Sequence, residues 1–110
     1  MTNVPSGIEV LDYEFTGSVD AGRFDPVLVG VVGSGNLEVL IEPAAGLVCT
    51  VHVETSARGY GPIWQAVVSD FHQRHPLAGM RVSIHDMGAT PAVVGLRLDQ
   101  AISDLRSSEL

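Results

Sequence analysis

The stretch "VGVVGSGNLEVL", Val29 to Leu40, sets two apolar segments on either side of a small polar knot, Gly33-Ser34-Gly35-Asn36. Four residues are a common hairpin-loop length, so the two segments read as antiparallel neighbours. "PVLVGVV", Pro26 to Val32, is apolar on both faces, as a central strand would be. "LEVLIE", Leu37 to Glu42, alternates: Leu37, Val39 and Ile41 face one way, Glu38 and Glu42 the other. The hairpin thus makes a sheet the starting point of the fold.

Outward from the hairpin the same period recurs. "IEVLDYEF", Ile8 to Phe15, alternates Leu11, Tyr13 and Phe15 with Asp12 and Glu14. "GSVDAGRFD" after it is loop-like. "PAAG" is a turn, and "LVCTVHVE", Leu47 to Glu54, sets Leu47, Cys49, Val51 and Val53 on one face. The period then changes. Trp64, Val67, Val68 and Phe71 fall at helical spacing behind Pro62, and Pro76 closes that helix near His75. "MRVSIHD", Met80 to Asp86, returns to period two with Met80, Val82 and Ile84 aligned. Thr90 and Pro91 are cap and first turn of a second helix, striped by Val94, Leu98, Ile102 and Leu105. The expected order is β-β-β-β-α-β-α. That is an α+β single domain with a mostly antiparallel sheet of about five strands and two helices on one face. Residues 1–7 and 107–110 are expected to be flexible ends.

Composition narrows the function classes. The chain has 110 residues, is 45% hydrophobic and carries a formal net charge of -7. Such an acidic chain does not suit nucleic acid, which calls for concentrated positive charge. No apolar run approaches the ~20 residues of a membrane span. The start lacks the basic and apolar regions of a secretory signal, so the expected location is cytoplasmic. The single cysteine, Cys49, excludes an internal disulfide. All six basic residues are arginines. Without lysine there is no Schiff base, biotinyl-lysine, lipoyl-lysine or P-loop lysine.

Several constellations invite a chemical reading. Gly30-x-x-Gly33-x-Gly35 inverts the dinucleotide spacing, and a strand follows it where a phosphate-binding helix is needed. His72 and His75, with Asp70, share one helix side but have no third ligand nearby in sequence, which suits a solvated helix end. His85-Asp86 reads either as a base with its orienter or as a polar strand end that satisfies turn backbone groups. Ser34 is not in a G-x-S-x-G elbow, which turns from strand to helix. It is a turn residue, or a hydroxyl cleared of neighbouring side chains for modification by another enzyme.

"VGVVGSGNLEVL", together with "IHDMGATPAVVGLRLDQAI" further on, resembles the acyl carrier (delta) subunit of malonate decarboxylase and, more distantly, the citrate lyase carrier. The likeness spans roughly residues 8 to 105. It implies a carrier that is not itself catalytic and has no metal. In such a carrier Ser34 holds 2'-(5''-phosphoribosyl)-3'-dephospho-CoA through a phosphodiester, with Gly33 and Gly35 shaping the turn. The arm's thiol, not Cys49, carries acetyl and malonyl thioesters. The implied partners are an acyltransferase subunit, decarboxylase subunits and a prosthetic-group transferase. Asn36 departs from the aspartate expected after the second glycine. The competing reading is an acidic binding or assembly module with no covalent arm.

Overall fold

The computed structural model describes residues 7–30 and 37–108. The knot Gly33-Ser34-Gly35-Asn36, with Val31 and Val32, lies outside the described residues. The elements are β1 (Glu9–Thr16), β2 (Val19–Asp20), β3 (Val27–Val29), β4 (Leu37–Pro43), β5 (Val48–Thr55), α1 (Gly61–Arg74), β6 (Leu77–Ala78), β7 (Met80–Asp86) and α2 (Pro91–Ser108). Five strands form one sheet in the order β1-β5-β7-β4-β3, and β2 pairs with β6 in a two-stranded annex. The two dipeptide strands are additions to the expected order. The stretch between Gly17 and Asp25 is too short and polar to announce β2, and Leu77–Ala78 is too short to show a period.

Three of the four pairings in the main sheet are antiparallel, and β5 with β7 is parallel. A parallel pair cannot be joined by a hairpin, and α1 is the crossover that joins this one. Alternation then sorts the side chains. Leu37, Val39, Ile41, Cys49, Val51, Val53, Met80, Val82 and Ile84 are all at most 1% exposed. Their neighbours on each strand form the opposite, polar face. Five strands spaced about 4.8 Å make a face roughly 20 Å wide, which two helices about 10 Å apart can cover. α2 packs over β3 and β4, while α1 lies against α2 and β1. The helical stripes do this by burying Trp64, Val68 and Phe71 from α1, and Val94, Leu98, Ile102 and Leu105 from α2.

Some expectations fail, each for a reason. β3 is an edge strand rather than a central one. Only its Val27 and Val29 side faces the core, and Leu28 is 59% exposed beside Leu40 on the open face. Leu47 stands 77% exposed ahead of β5, so the buried row begins at Cys49. Helix α2 runs to Ser108.

Gly30 anchors the base of the hairpin. It has a φ of 86°, and a Cβ there would sit 2.1 Å from the Leu37 carbonyl oxygen. Only glycine meets both conditions.

Candidate functional site: the hairpin end of the sheet

The described strands bracket the knot closely. β3 ends at Val29 and β4 begins at Leu37. Leu37 lies opposite Asp86, the last residue of β7, and Asp86 lies beside Thr55, the last residue of β5. Both helices start at this same end, α1 at Gly61 and α2 at Pro91, and then run the other way. Neither first turn carries an acidic residue. The partial positive charge of the α1 N-terminus, which has no side-chain cap, is therefore left free at the end where the knot is attached, a setting that favours an anionic group.

Asp86 organises this end. It is 1% exposed. Its Oδ2 accepts the Thr55 hydroxyl at 2.8 Å, and its Oδ1 accepts the N–H groups of Ala89 at 2.8 Å and Gly88 at 3.3 Å. Thr55 Oγ1 in turn accepts the Ala57 N–H at 3.0 Å. One carboxylate thus fastens the end of β5, the end of β7 and the entry to α2. Thr90 Oγ1 accepts the Val93 N–H at 3.4 Å, a long version of the expected cap. Between the two helix starts lies a cavity of about 250 Å³ walled by Tyr60, Ile63, Trp64, Asp86, Ala89 and Val94.

The proposed His85-Asp86 dyad does not form. Adjacent strand residues point to opposite faces. Asp86 is fixed under the helices, whereas His85 lies on the open face, 3.7 Å from Glu38 and 3.8 Å from Glu54. The turn-satisfying role is the one Asp86 fills. His72 is likewise not at a solvated end. It is 8% exposed, stacks on Phe15 with ring centroids 4.8 Å apart, and bonds to the Leu77 carbonyl through Nε2 at 3.1 Å. His75 pairs with Asp99 at 3.1 Å, and Arg74 bridges Asp70 and Asp99. Among the described residues no group of histidine, cysteine and carboxylate side chains is placed to hold a metal.

The open face carries a polar cluster that sequence reading missed, because its members come from strands not adjacent in sequence. His52 sits between Asp12, 2.6 Å from Nδ1, and Glu54, 3.0 Å from Nε2. Burial alone would lower the His52 pKa, but the hydrogen bonds and charges of the two carboxylates outweigh it and raise it. A raised histidine pKa stabilises the fold fully below the unfolded value of about 6.5, and that contribution fades as pH rises through the folded value. Glu38 and Glu42 stand on the same face, opposite His85 and Arg81 of β7.

Cys49 is 0% exposed in the middle of the core face, and burial pushes its thiol up to about 12. A thiol so placed has almost no thiolate at neutral pH and no access to reagents. Iodoacetamide should therefore leave Cys49 unmodified in the folded, unloaded chain and alkylate it only after unfolding. Labelling of the native chain as fast as a free thiol would refute the assignment of Cys49 to packing.

Residues 25–105 match the family described as malonate decarboxylase delta subunit (MdcD). A malonate decarboxylase acyl carrier protein of Burkholderia cepacia is 68% identical over 96% of this chain and 98% of its own. The one of Stenotrophomonas maltophilia (strain K279a) is 57% identical over 93% of this chain and 98% of its own. Among solved structures, a chain of a Pseudomonas malonate decarboxylase hetero-tetramer in complex with malonate superposes with a TM-score of 0.76. It is 37% identical, over 88% of this chain and 98% of that one. The chain belongs to the malonate decarboxylase acyl carrier (delta subunit) family.

Proposed function

We propose that this chain carries acyl groups between the subunits of a malonate decarboxylase on a CoA-derived arm joined to Ser34 by a phosphodiester. The observation that carries this reading is the burial of Cys49 in a chain with no lysine. A carrier with no accessible thiol can hold a thioester only on something added to it. The arm we assign is 2'-(5''-phosphoribosyl)-3'-dephospho-CoA, whose terminal thiol supplies the thioester chemistry when it is attached. The described residues fit such a group. The end of the sheet from which the knot springs combines two helix N-termini, suited to phosphates, with an apolar cavity.

The chain's own part is positioning rather than chemistry, and we propose that it is not a catalyst. Gly30 and the β4–β7 pairing tie the described ends of the hairpin on either side of the knot to a rigid body. The partners in this reading are an acyltransferase subunit, decarboxylase subunits and the transferase that attaches the arm, all in the cytoplasm. The test is the intact mass of the chain purified from its native host. A covalent increment equal to the arm supports the reading. A bare chain from a host that is actively degrading malonate refutes it and favours the assembly module.

Docking should depend on charge. Glu38 and Glu42 lie on the open sheet face just after the knot, and basic partner patches would be steered toward them. Replacing both by glutamine in the loaded chain should slow acyl transfer between subunits at low salt, and the difference should shrink as salt rises. Folding should change little, because half-buried surface charges in loose pairs such as Glu38 with His85 contribute about 0–1 kcal/mol. Equal transfer rates for the variant and wild type at every salt concentration would move the docking surface elsewhere.

A further inference from the structure

We infer that the cavity between the starts of α1 and α2 is a seat for the adenine ring of the arm, leaving the pantetheine half free to travel. This rests on the reading of Ser34 as the attachment site and deepens it. Four observations carry it. The first is reach. Three residues of chain span at most about 11 Å, and opposed antiparallel residues lie about 5 Å apart. Leu37, the first described residue after the knot, opposes Asp86, and Asp86 walls the cavity, so the described end of the hairpin stands about 5 Å across the ladder from that wall. A phosphate and two sugars separate the seryl oxygen from the adenine, a length comparable to that of three residues.

The second is size. At about 250 Å³ the cavity falls below the ~300–1,000 Å³ of sites that hold a whole ligand, so it suits one ring system rather than the full arm. The third is lining. Tyr60, Ile63, Trp64 and Val94 offer apolar and aromatic surface, and Asp86, whose Oδ1 is filled by two N–H groups, keeps one acceptor position on Oδ2. The fourth is the charge around the seat. The N-termini of both helices flank it, and that of α1 has no side-chain cap, so a phosphate beside the adenosine is accommodated at the α1 end outside the apolar walls.

A malonyl-bearing end of the arm is disfavoured by the same chemistry. A malonyl group ends in a carboxylate, which an apolar wall and a neighbouring Asp86 would both disfavour. The thiol must also leave for other active sites, whereas the adenine never needs to. Seating the base shortens the part of the arm that wanders, which raises the local concentration of the thiol at docked partners.

Trp64, the one tryptophan of the chain, is in the cavity wall and reports directly. The experiment compares tryptophan emission of the loaded chain with that of the unloaded chain, with loading verified by intact mass. Stacking of a base on an aromatic side chain typically favours the stacked form by about tenfold or more, so the loaded chain should emit mainly as the quenched species. Cleaving the arm's pyrophosphate with a nucleotide pyrophosphatase removes the pantetheine half and should leave the quenching in place. Ile63→Asp, at an exposed lining position, should abolish the difference between loaded and unloaded chains without changing the unloaded spectrum. Identical emission from loaded and unloaded wild type overturns the seat while the arm on Ser34 stands. Quenching that disappears with the pantetheine half overturns adenine as the occupant. A native chain whose mass shows no arm overturns the reading of Ser34 and the seat with it.

Discussion

Ser34→Ala should give a chain that folds and melts like wild type but never gains the mass of the arm, even with the attaching transferase in excess. The loss is complete because the phosphodiester needs the seryl oxygen and no rotamer of alanine supplies one. Stability should stay within about 0.5 kcal/mol, the usual range for surface substitutions away from caps, cores and networks. The described core closes without this residue: the strands on either side of the knot are buried through Val29, Leu37, Val39 and Ile41. Other serines are poorer candidates. Ser83 is 8% exposed in the middle of β7, where no transferase can reach its hydroxyl. Ser103, on the solvent side of α2, is an exposed rival, as are Ser18 and Ser56. Peptide mapping of the loaded wild type decides: the arm on a peptide containing Ser103, or a Ser34→Ala chain that still loads, would remove Ser34 from the mechanism.

The legible part of this fold is the part that alternation and helical period write directly. Leu37, Val39 and Ile41 against Glu38 and Glu42, and the stripe from Val94 to Leu105, gave the strands and helices because each buries one face and solvates the other. Strand order was not legible. The sequence of β3 is apolar at Leu28 as well as at Val27 and Val29, and an exposed Leu28 on an edge strand looks the same as one buried in a central strand. The parallel pairing of β5 with β7 is a long-range choice made by the α1 crossover, which no local pattern records. The candidate site divides in the same way. Gly-Ser-Gly is a contiguous signal, and the resemblance it carries agrees with the family found for residues 25–105. The network at the hairpin end is spread over Thr55, Asp86 and Ala89, and the His52 cluster over Asp12, His52 and Glu54. Only the folded register brings such residues together. His85 and Asp86, adjacent in sequence and separated by the sheet, show the converse.

Asp86→Ala should cost about 3–5 kcal/mol, the largest stability loss of any single polar substitution we expect here. The carboxylate accepts three hydrogen bonds while 1% exposed, and bonds to a charged acceptor contribute about 1.5–3 kcal/mol each. Alanine removes the acceptor, so the buried Thr55 O–H and the Ala89 N–H lose the oxygens they donate to, while Thr55 Oγ1 keeps the Ala57 N–H. At about 4–8 °C per kcal/mol for a domain of this size, Tm should fall by at least about 12 °C. Asp86→Asn should cost much less, since its amide oxygen still accepts from the Ala89 turn and the Thr55 hydroxyl can rotate to accept the new N–H. Thr55→Val removes the other partner, so the pair can be weighed by a double-mutant cycle, and residues in direct contact should couple by more than about 0.5 kcal/mol. The damage should also be local before it is global. Leu37 pairs with Asp86, so hydrogen exchange in Asp86→Ala should accelerate first at the start of β4 and around Ala89, and less at β1. Loosening at the base of the hairpin would blur the position of Ser34 and slow loading by the transferase at temperatures where the chain is still folded. An Asp86→Ala chain that melts within about 2 °C of wild type would mean that the turn after β7 holds itself, and that the hairpin end owes its rigidity to the β4–β7 ladder alone.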